Sequence, residues 1–259
     1  MKQSKWNQRI RRAEKLAATY PFAAEVMCFY RQLAGFQETL YDSAKKEELG
    51  FLDTPLVLPR FGDFLNNLRT IAPAPLAQAA GKLLSDAPDR RQEVLASVRQ
   101  ATSVFQPTSS NPEHLMAWMF LQPFAEHLAD SGKTEPRDAV PQFCPTCSAG
   151  PVAGVLRPEG DGGKRSLICA LCATEWAIGR IVCPGCGETA VEKLSVYTAD
   201  EFPHVRVEAC NSCGKYIKTV DLTKNGLAVP IVDELATIPL NLWAQEHGYV
   251  KLQANLLGI

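Results

Sequence analysis

The sequence contains no hydrophobic run long enough to cross a membrane. No stretch of its 259 residues approaches the roughly 18 consecutive apolar residues that mark a spanning helix. The formal net charge is only −1, so the chain as a whole has no strong attraction for nucleic acid or for an anionic lipid surface. The stretch MKQSKWNQRIRRAEKLAATY lacks the apolar core and the cleavage site of a secretory signal. We therefore expect a cytoplasmic protein without membrane insertion, in which thiols stay reduced.

Histidine is scarce, and cysteine is missing from most of the chain. His114 and His127 are too far apart for a helical zinc motif, which places two histidines about four positions apart. Eight of the nine cysteines lie between residues 144 and 213. The ninth, Cys28, lies in an apolar helical stretch, and we expect it to be a small buried side chain. Any metal chemistry is therefore expected from the cysteine-rich region.

The first half of the chain has the hydrophobic periodicity of helices. Apolar side chains recur every three to four residues over 5–20 and over 22–41, with Pro21 between the two stretches. The segment from Asp53 to Pro59 has prolines near both ends and is interpreted as a connector. Three further helices are expected near residues 61–71, 75–84 and 89–104.

The segment SSNPEHLMAWMFLQPFAEHLAD predicts one more helix in this half. Asn111 suits the N-cap position, and Pro112 suits the first helical position. Pro123 is expected to kink or divide the helix. The polar segment from Asp130 to Gln142 then indicates the end of an all-α domain.

The eight clustered cysteines form four C-x-x-C pairs in an internal repeat. Cys144 and Cys147 lie 39 positions before Cys183 and Cys186, and Cys169 and Cys172 lie 41 positions before Cys210 and Cys213. Within each half, 21 or 23 residues separate the pairs, slightly more than the roughly 15–20 of a zinc ribbon. The repeat predicts that the first two pairs hold one metal ion and the last two hold another. An interleaved arrangement, in which the first and third pairs share an ion, is the alternative.

The chemistry of the pairs explains their spacing. A tight C-x-x-C turn directs two sulfurs at one ion, and a hairpin brings back the second pair. Four thiolates fill a tetrahedral site and leave no open position for water or substrate, so hydrolysis at the metal is not expected. The donor set suits zinc or a single iron ion. Two purely structural zinc ions, or a redox-active dithiol at one pair, are the alternatives.

The cysteine region resembles the FdhE family of formate dehydrogenase accessory proteins. The matching stretches are FCPTCSAGPV, LICALCATEW followed by IVCPGC, EACNSCGKYIK and the C-terminal VDELATIPLNLWAQEHGY. The resemblance implies a cytoplasmic maturation factor that binds the catalytic subunit of a respiratory formate dehydrogenase before export. It also implies rubredoxin-type iron sites at all eight paired cysteines, with zinc as the alternative metal, and it carries over no catalytic residue.

These observations predict a protein of class α plus small β. The expected parts are an all-α helical domain over 1–135, a first rubredoxin-like four-cysteine unit over 140–180, a second such unit over 181–225 and a C-terminal helical segment over 226–259. Within the last segment a helix is expected over 231–247, which Pro239 could break.

Two other functions fit a ribbon protein. One is nucleic-acid binding, which usually requires a basic surface; residues 141–225 contain nine Lys and Arg and nine Asp and Glu, so this region is neutral and we expect no nucleic-acid partner. The other is electron transfer by a small rubredoxin-like carrier, which requires iron rather than zinc.

Overall fold

A computed structural model describes residues 4–49, 54–100, 111–133, 142–160 and 162–259. In the described part of the first half the chain forms six α-helices: α1 (Lys5–Thr19), α2 (Ala24–Glu47), α3 (Thr54–Ile71), α4 (Ala74–Ser85), α5 (Pro88–Gln100) and α6 (Pro112–Asp130). The cysteine-rich region supplies the strands β1 (Pro151–Glu159), β2 (Gly162–Cys169), β3 (Glu175–Ala177), β4 (Leu194–Thr198), β5 (Val205–Cys210) and β6 (Lys215–Asp221). The chain then forms α7 (Pro230–Ala236), α8 (Ile238–Glu246) and a short β7 (Val250–Lys251). The predicted class, helical first and small β second, is confirmed.

Local sequence signals explain where two of the helices begin. The Ser4 side chain accepts a hydrogen bond from the backbone N–H of Asn7 and caps α1. At α6, the Asn111 side chain accepts from the N–H of His114, with Pro112 in the first turn, as the sequence predicts. The helix is not divided at Pro123 but runs on to Asp130.

Helix α6 forms the centre of the helical region. Every residue from Leu115 to Glu126 is buried, because the other helices and the β region enclose it on all sides. Its Phe120 ring contacts the rings of Phe61 and Phe64 from α3. Such all-round burial explains why α6 shows no polar stripe in its sequence.

Two predictions for the helical region are wrong. The expected connector before Pro59 is helical from Thr54 onward, so Pro59 lies inside α3. Pro59 is the sixth residue of α3, beyond the four positions whose N–H groups have no partner within a helix, so α3 lacks one hydrogen bond there, and burial of Phe61 and Phe64 just after it offsets the loss. Cys28 is exposed, because the buried face of α2 follows Met27, Tyr30 and the residues one turn further on. Residues 101–104 and 134–141, part of an expected helix and of the expected hinge, lie outside the described residues.

The two cysteine units share one sheet. Within each unit the strands pair antiparallel, β1 with β2 and β2 with β3, then β4 with β5 and β5 with β6. Strand β1 of the first unit pairs in parallel with β6 of the second, which gives the order β3-β2-β1-β6-β5-β4. At this joint, a Cβ added to Gly154 would lie 2.3 Å from the Oγ1 atom of Thr219. The close approach of the two strands therefore requires glycine at position 154.

The chain after β6 folds back over the sheet. The expected C-terminal helix is two helices, α7 and α8, separated at Thr237 just before Pro239. Asp233 of α7 forms a buried ion pair with Arg12 of α1 and a hydrogen bond to His204. The next residue, Glu234, pairs with Lys218 of β6. Helix α7 therefore connects the helical region to the sheet. The division of the chain into domains at 1–135, 140–180, 181–225 and 226–259 stays a prediction.

Lys218 is a fully buried lysine, and we expect it to be essential for stability. Its Nζ atom donates to the backbone oxygens of Glu234 and Thr237 at 2.6 and 3.1 Å, and it lies 3.0 Å from the Glu234 carboxylate. Lys218→Met preserves most of the side-chain volume but leaves these buried acceptors without a donor. We expect a loss of about 3 kcal/mol in the free energy of unfolding, measured by urea denaturation.

The control is Lys224→Met, which changes an exposed lysine in the turn after β6. We expect it to leave the free energy of unfolding within about 0.5 kcal/mol of the parent value. Equal stability of the two variants would show that the Lys218 pair does not support the fold.

Candidate metal centres

The structure brings the eight paired cysteines into two groups of four. Cys144, Cys147, Cys169 and Cys172 form the first group, and Cys183, Cys186, Cys210 and Cys213 form the second. In each group the four sulfurs lie within 4.8 Å of one another, so each could hold one metal ion. The groups follow the repeat of the sequence and not the interleaved alternative.

Sulfur–sulfur distances exclude disulfides in both groups, and those of the second group match metal ligation. They are 3.5 Å between Cys144 and Cys172 and 3.3 Å between Cys147 and Cys169. In the second group the Cys183–Cys213 and Cys186–Cys210 distances are 3.8 and 3.7 Å. A disulfide would bring two sulfurs to about 2.05 Å. Tetrahedral bonds of about 2.3 Å to one ion place the sulfurs about 3.8 Å apart.

All four C-x-x-C turns end with the same backbone conformation. The residue after the second cysteine has a positive φ angle in each: 65° at Ser148, 55° at Ala173, 80° at Gly187 and 67° at Gly214. We call each C-x-x-C turn a knuckle. The left-handed residue turns the chain out of the knuckle after both cysteine sulfurs have been directed inward. Glycine adopts it without steric cost, whereas serine and alanine do not. The repeat visible in the cysteines therefore extends to the backbone.

Backbone N–H groups in the turns point at the sulfurs. The N–H of Thr146 lies 3.4 Å from the Cys144 sulfur, and the N–H of Gly185 lies 3.3 Å from the Cys183 sulfur. The N–H groups of Leu171 and Cys172 both approach the Cys169 sulfur at 3.4 Å. Donors in these positions stabilise negative charge on sulfur, which is the form that binds a metal.

The donor set also suits a compensating cation. Burial raises the pKa of the Cys183 thiol to about 12. Burial, followed by hydrogen bonds with the neighbouring sulfurs, raises the pKa of Cys169 well above its ordinary value. Four adjacent thiolates repel one another, and a metal ion removes that repulsion. Each group therefore fits one thiophilic ion, although the geometry does not distinguish iron from zinc.

The first group lies in the hydrophobic core between the sheet and the helical region. Cys144, Cys169 and Cys172 are at most 2% exposed and pack with residues of the helices. The side chain of Gln122 on α6 donates to the backbone oxygen of Ala170, between the two cysteines of the second knuckle. No sequence pattern indicates this contact, because Gln122 lies 48 positions from Ala170 in a helix with no metal-binding motif.

Gln122 is itself fixed by a second glutamine. The side chain of Gln37 on α2 donates 3.1 Å to the Gln122 side-chain oxygen and 2.7 Å to the backbone oxygen of Met119. A chain of hydrogen bonds therefore runs from α2 through α6 to the Cys169–Cys172 turn of the first group. This contact orients the group relative to the helical region.

The second group lies at the protein surface. Cys186 is exposed and Cys213 is partly buried, while Cys183 and Cys210 are buried. The aromatic residues that follow the cysteine pairs serve packing: Trp176 packs against the core that the helical region shares with the first unit, and Tyr216 is 1% exposed in the core between the second unit's sheet and α8. The two groups thus share their geometry but differ in access to solvent.

Comparison with known proteins agrees with this geometry. The model of the FdhE central domain matches residues 143–180, and the model of the FdhE C-terminal domain matches residues 181–257. Over residues 143–257 the chain matches the FdhE family. Together the two FdhE models cover both cysteine groups and the helices that follow the sheet.

Two relatives and one solved structure extend the match to the FdhE family. An FdhE homolog from Aquifex aeolicus is 36% identical over 140 residues, which are 54% of this chain and 50% of that protein. One from Pectobacterium carotovorum is 28% identical over 97% of this chain and 86% of its own length. The crystal structure of the FdhE protein from Pseudomonas aeruginosa matches with a TM-score of 0.72 at 23% identity, covering 97% of this chain and 95% of that one. This match shows a shared fold that includes the helical first half. In the described residues, no helix is both long and apolar enough to span a membrane.

Different solvent access predicts different rates of metal loss. In zinc-loaded protein treated with a colorimetric chelator, we expect one ion to be released at least about tenfold faster than the other, because the first site opens only when the core opens. Cys186→Ser should remove the fast phase and leave the slow one. Release of both ions in a single phase would contradict the assignment.

The left-handed turn residue predicts a backbone effect at Gly214. An added Cβ there would meet no atom within 4 Å, so Gly214→Ala tests the φ angle of 67° alone. We expect a loss of about 1 kcal/mol in the free energy of unfolding of the metal-loaded protein. Gly35→Ala is the matched control: it also meets no neighbour, but it lies inside helix α2 and should stabilise by up to about 1 kcal/mol. A stabilising Gly214→Ala would contradict the proposed role of the turn.

Proposed function

We propose that this chain is a cytoplasmic accessory factor that binds the catalytic subunit of a respiratory formate dehydrogenase during its maturation. Its match to the FdhE family models and its two four-cysteine groups support an accessory role. The observation that carries the proposal is the closed geometry of both groups. With four sulfurs around each centre, an ion there has no open position for a substrate, so the chain would act on a protein partner and not as an enzyme.

The eight cysteines are proposed to hold two metal ions, one in each group. Iron is favoured by the resemblance to rubredoxin-type family members, and zinc is the alternative. Iron would permit one-electron chemistry, whereas zinc would serve structure alone. In either case Thr146, Gly185 and the other N–H donors of the turns would stabilise the thiolates.

A second candidate function is electron transfer to or from the partner. The exposure of Cys186 favours it, because an electron can reach a site at the surface more easily than one in the core. The two functions are distinguished by the metal: protein that is colourless, zinc-loaded and redox-silent but still restores dehydrogenase activity excludes electron transfer. Anaerobic purification with metal analysis and visible spectra makes this measurement.

The proposal predicts the effect of removing the second group. Cys183→Ser together with Cys186→Ser should reduce the metal content from two ions to one per chain and lower the melting temperature, because the metal contributes to folding. We expect the variant to lose capture of the formate dehydrogenase catalytic subunit in a pull-down.

Cys28→Ser is the matched control, since Cys28 is exposed and lies outside both groups. It should retain two ions, the parent melting temperature and capture of the subunit. A double variant that melts and captures the subunit as the parent does would refute a required second site.

A further inference from the structure

One face of the second unit's sheet is covered, and the outer part of the other face, near β4, is open to solvent. On the covered face, Val207 and Val220 pack with Leu240 and Ala244 of α8. On the other face, Val196 and Ile217 lie opposite Glu208 on the neighbouring strands, and Val196 is 54% exposed. A cavity of about 200 Å³ lies on this open face, between the strands, the knuckle at Cys183 and the linker that joins the two units.

Positive charge predominates in the lining of the cavity. Arg165, Arg180, Arg206 and Lys215 line it together with a single carboxylate, Glu208, so the formal charge of these five groups is +4 − 1 = +3. Four thiolates around a divalent ion would add −2 at the end formed by the second cysteine group, which still leaves an excess of +1. The side chains of Arg180 and Lys215 are exposed and have no partner in the described parts of the chain.

A buried arginine in the lining has an unused donor. Arg165 is 4% exposed; its Nη1 donates to the backbone oxygens of Gly179 and Val182, and its Nη2 donates to Glu208 at 2.6 Å. Its Nε–H is buried and has no acceptor among the described residues. Arg206 occupies the other oxygen of Glu208, so this carboxylate has both oxygens engaged already. A further acceptor from outside the chain would satisfy Arg165.

The rim of the cavity is apolar. Ile181, Val191 and Val196 line it and are 51%, 63% and 54% exposed. Exposed apolar side chains that surround a charged cavity are typical of protein-binding sites and not of simple ion sites. Val196 belongs to β4, the last strand of the sheet, whose outer edge pairs with no strand in the described residues. An extended segment could therefore lie along this edge.

We propose that this cavity binds an acidic side chain from an extended, apolar-flanked segment of a protein partner. The carboxylate would accept from the Arg165 Nε–H and pair with Arg180 and Lys215, and the flanking apolar residues would cover Ile181 and Val196. The partner's identity as the dehydrogenase subunit rests on the proposed function, whereas the chemistry of the cavity does not. Nucleic acid fits less well, because Glu208 lies in the lining and the rim offers aliphatic side chains in place of further phosphate contacts.

The direct test uses zinc-loaded full-length protein and a capped pentapeptide with a central glutamate between two valines. We expect this peptide to shift the Nε–H signal of Arg165 in a proton–nitrogen correlation spectrum. The same peptide with glutamine in place of the glutamate should leave the signal unchanged. Arg180→Glu with Lys215→Glu should weaken binding by about tenfold or more. Lys15→Glu with Lys224→Glu makes the same change of charge at exposed positions outside the cavity and should leave binding unchanged.

Each variant is first checked for two zinc ions per chain, and if the double variant has lost metal, Arg180→Glu alone carries the test. No shift with the glutamate peptide, or equal shifts with both peptides, overturns the proposal. If a short oligothymidylate shifts the Arg165 Nε–H signal and binds more tightly than the glutamate peptide, the proposal is also overturned, in favour of a phosphate site.

Capture of the dehydrogenase subunit separates this proposal from the proposed function. We call Arg180→Glu with Lys215→Glu the cavity variant. If the parent protein captures the subunit and the cavity variant does not, the result supports both the docking proposal and the proposed function. Equal capture by the parent and the cavity variant overturns docking at the cavity and leaves the proposed function standing. No capture by any form, with the glutamate peptide still bound at Arg165, refutes the proposed function and supports the cavity's chemistry.

Discussion

The close approach of four cysteine sulfur atoms determines the shape of both β units. Sulfurs about 3.8 Å apart require each C-x-x-C turn to direct two side chains inward and then turn the chain away. The left-handed residue after each pair performs that turn, at Ser148 and Ala173 in the first unit and at Gly187 and Gly214 in the second. The hairpin between pairs must then return the chain to the same point. Because both units meet the same requirement, they have the same order of strands.

This repetition also explains how the units join. Two similar three-stranded units placed in succession bring the first strand of one beside the last strand of the next, and these strands run parallel. The join allows no side chain at Gly154, where Thr219 of the other unit fills the space. A joined sheet gives the two metal groups different surroundings. The first unit packs against the helical region through Gln122, whereas the second packs on α8 and leaves its other face to solvent.

The features that sequence could predict depend on short-range chemistry. The grouping of the cysteines and the start of α6 at Asn111 follow from spacing and from side chains that act on neighbouring backbone. Predictions failed where the surroundings decide: Pro59 is tolerated inside α3, and Cys28 lies on the solvent side of an apolar helix. The pairing of β1 with β6 and the ion pair between Lys218 and Glu234 join distant parts of the chain without a spacing signal. The cysteine spacing that locates the metal ligands does not indicate which distant parts of the chain contact each other.

Helix α7 holds the second unit in a fixed orientation relative to the helical region. Successive side chains of a helix point about 100° apart, so Asp233 and Glu234, on the same turn of α7, contact different elements. Asp233 reaches Arg12 on α1, and Glu234 reaches Lys218 on β6 and Lys251 on β7. Charged hydrogen bonds are directional as well as strong, which apolar contacts are not. They restrict rotation of the sheet on the helices, and this keeps the open face of the second unit turned toward solvent, where a partner protein can reach it.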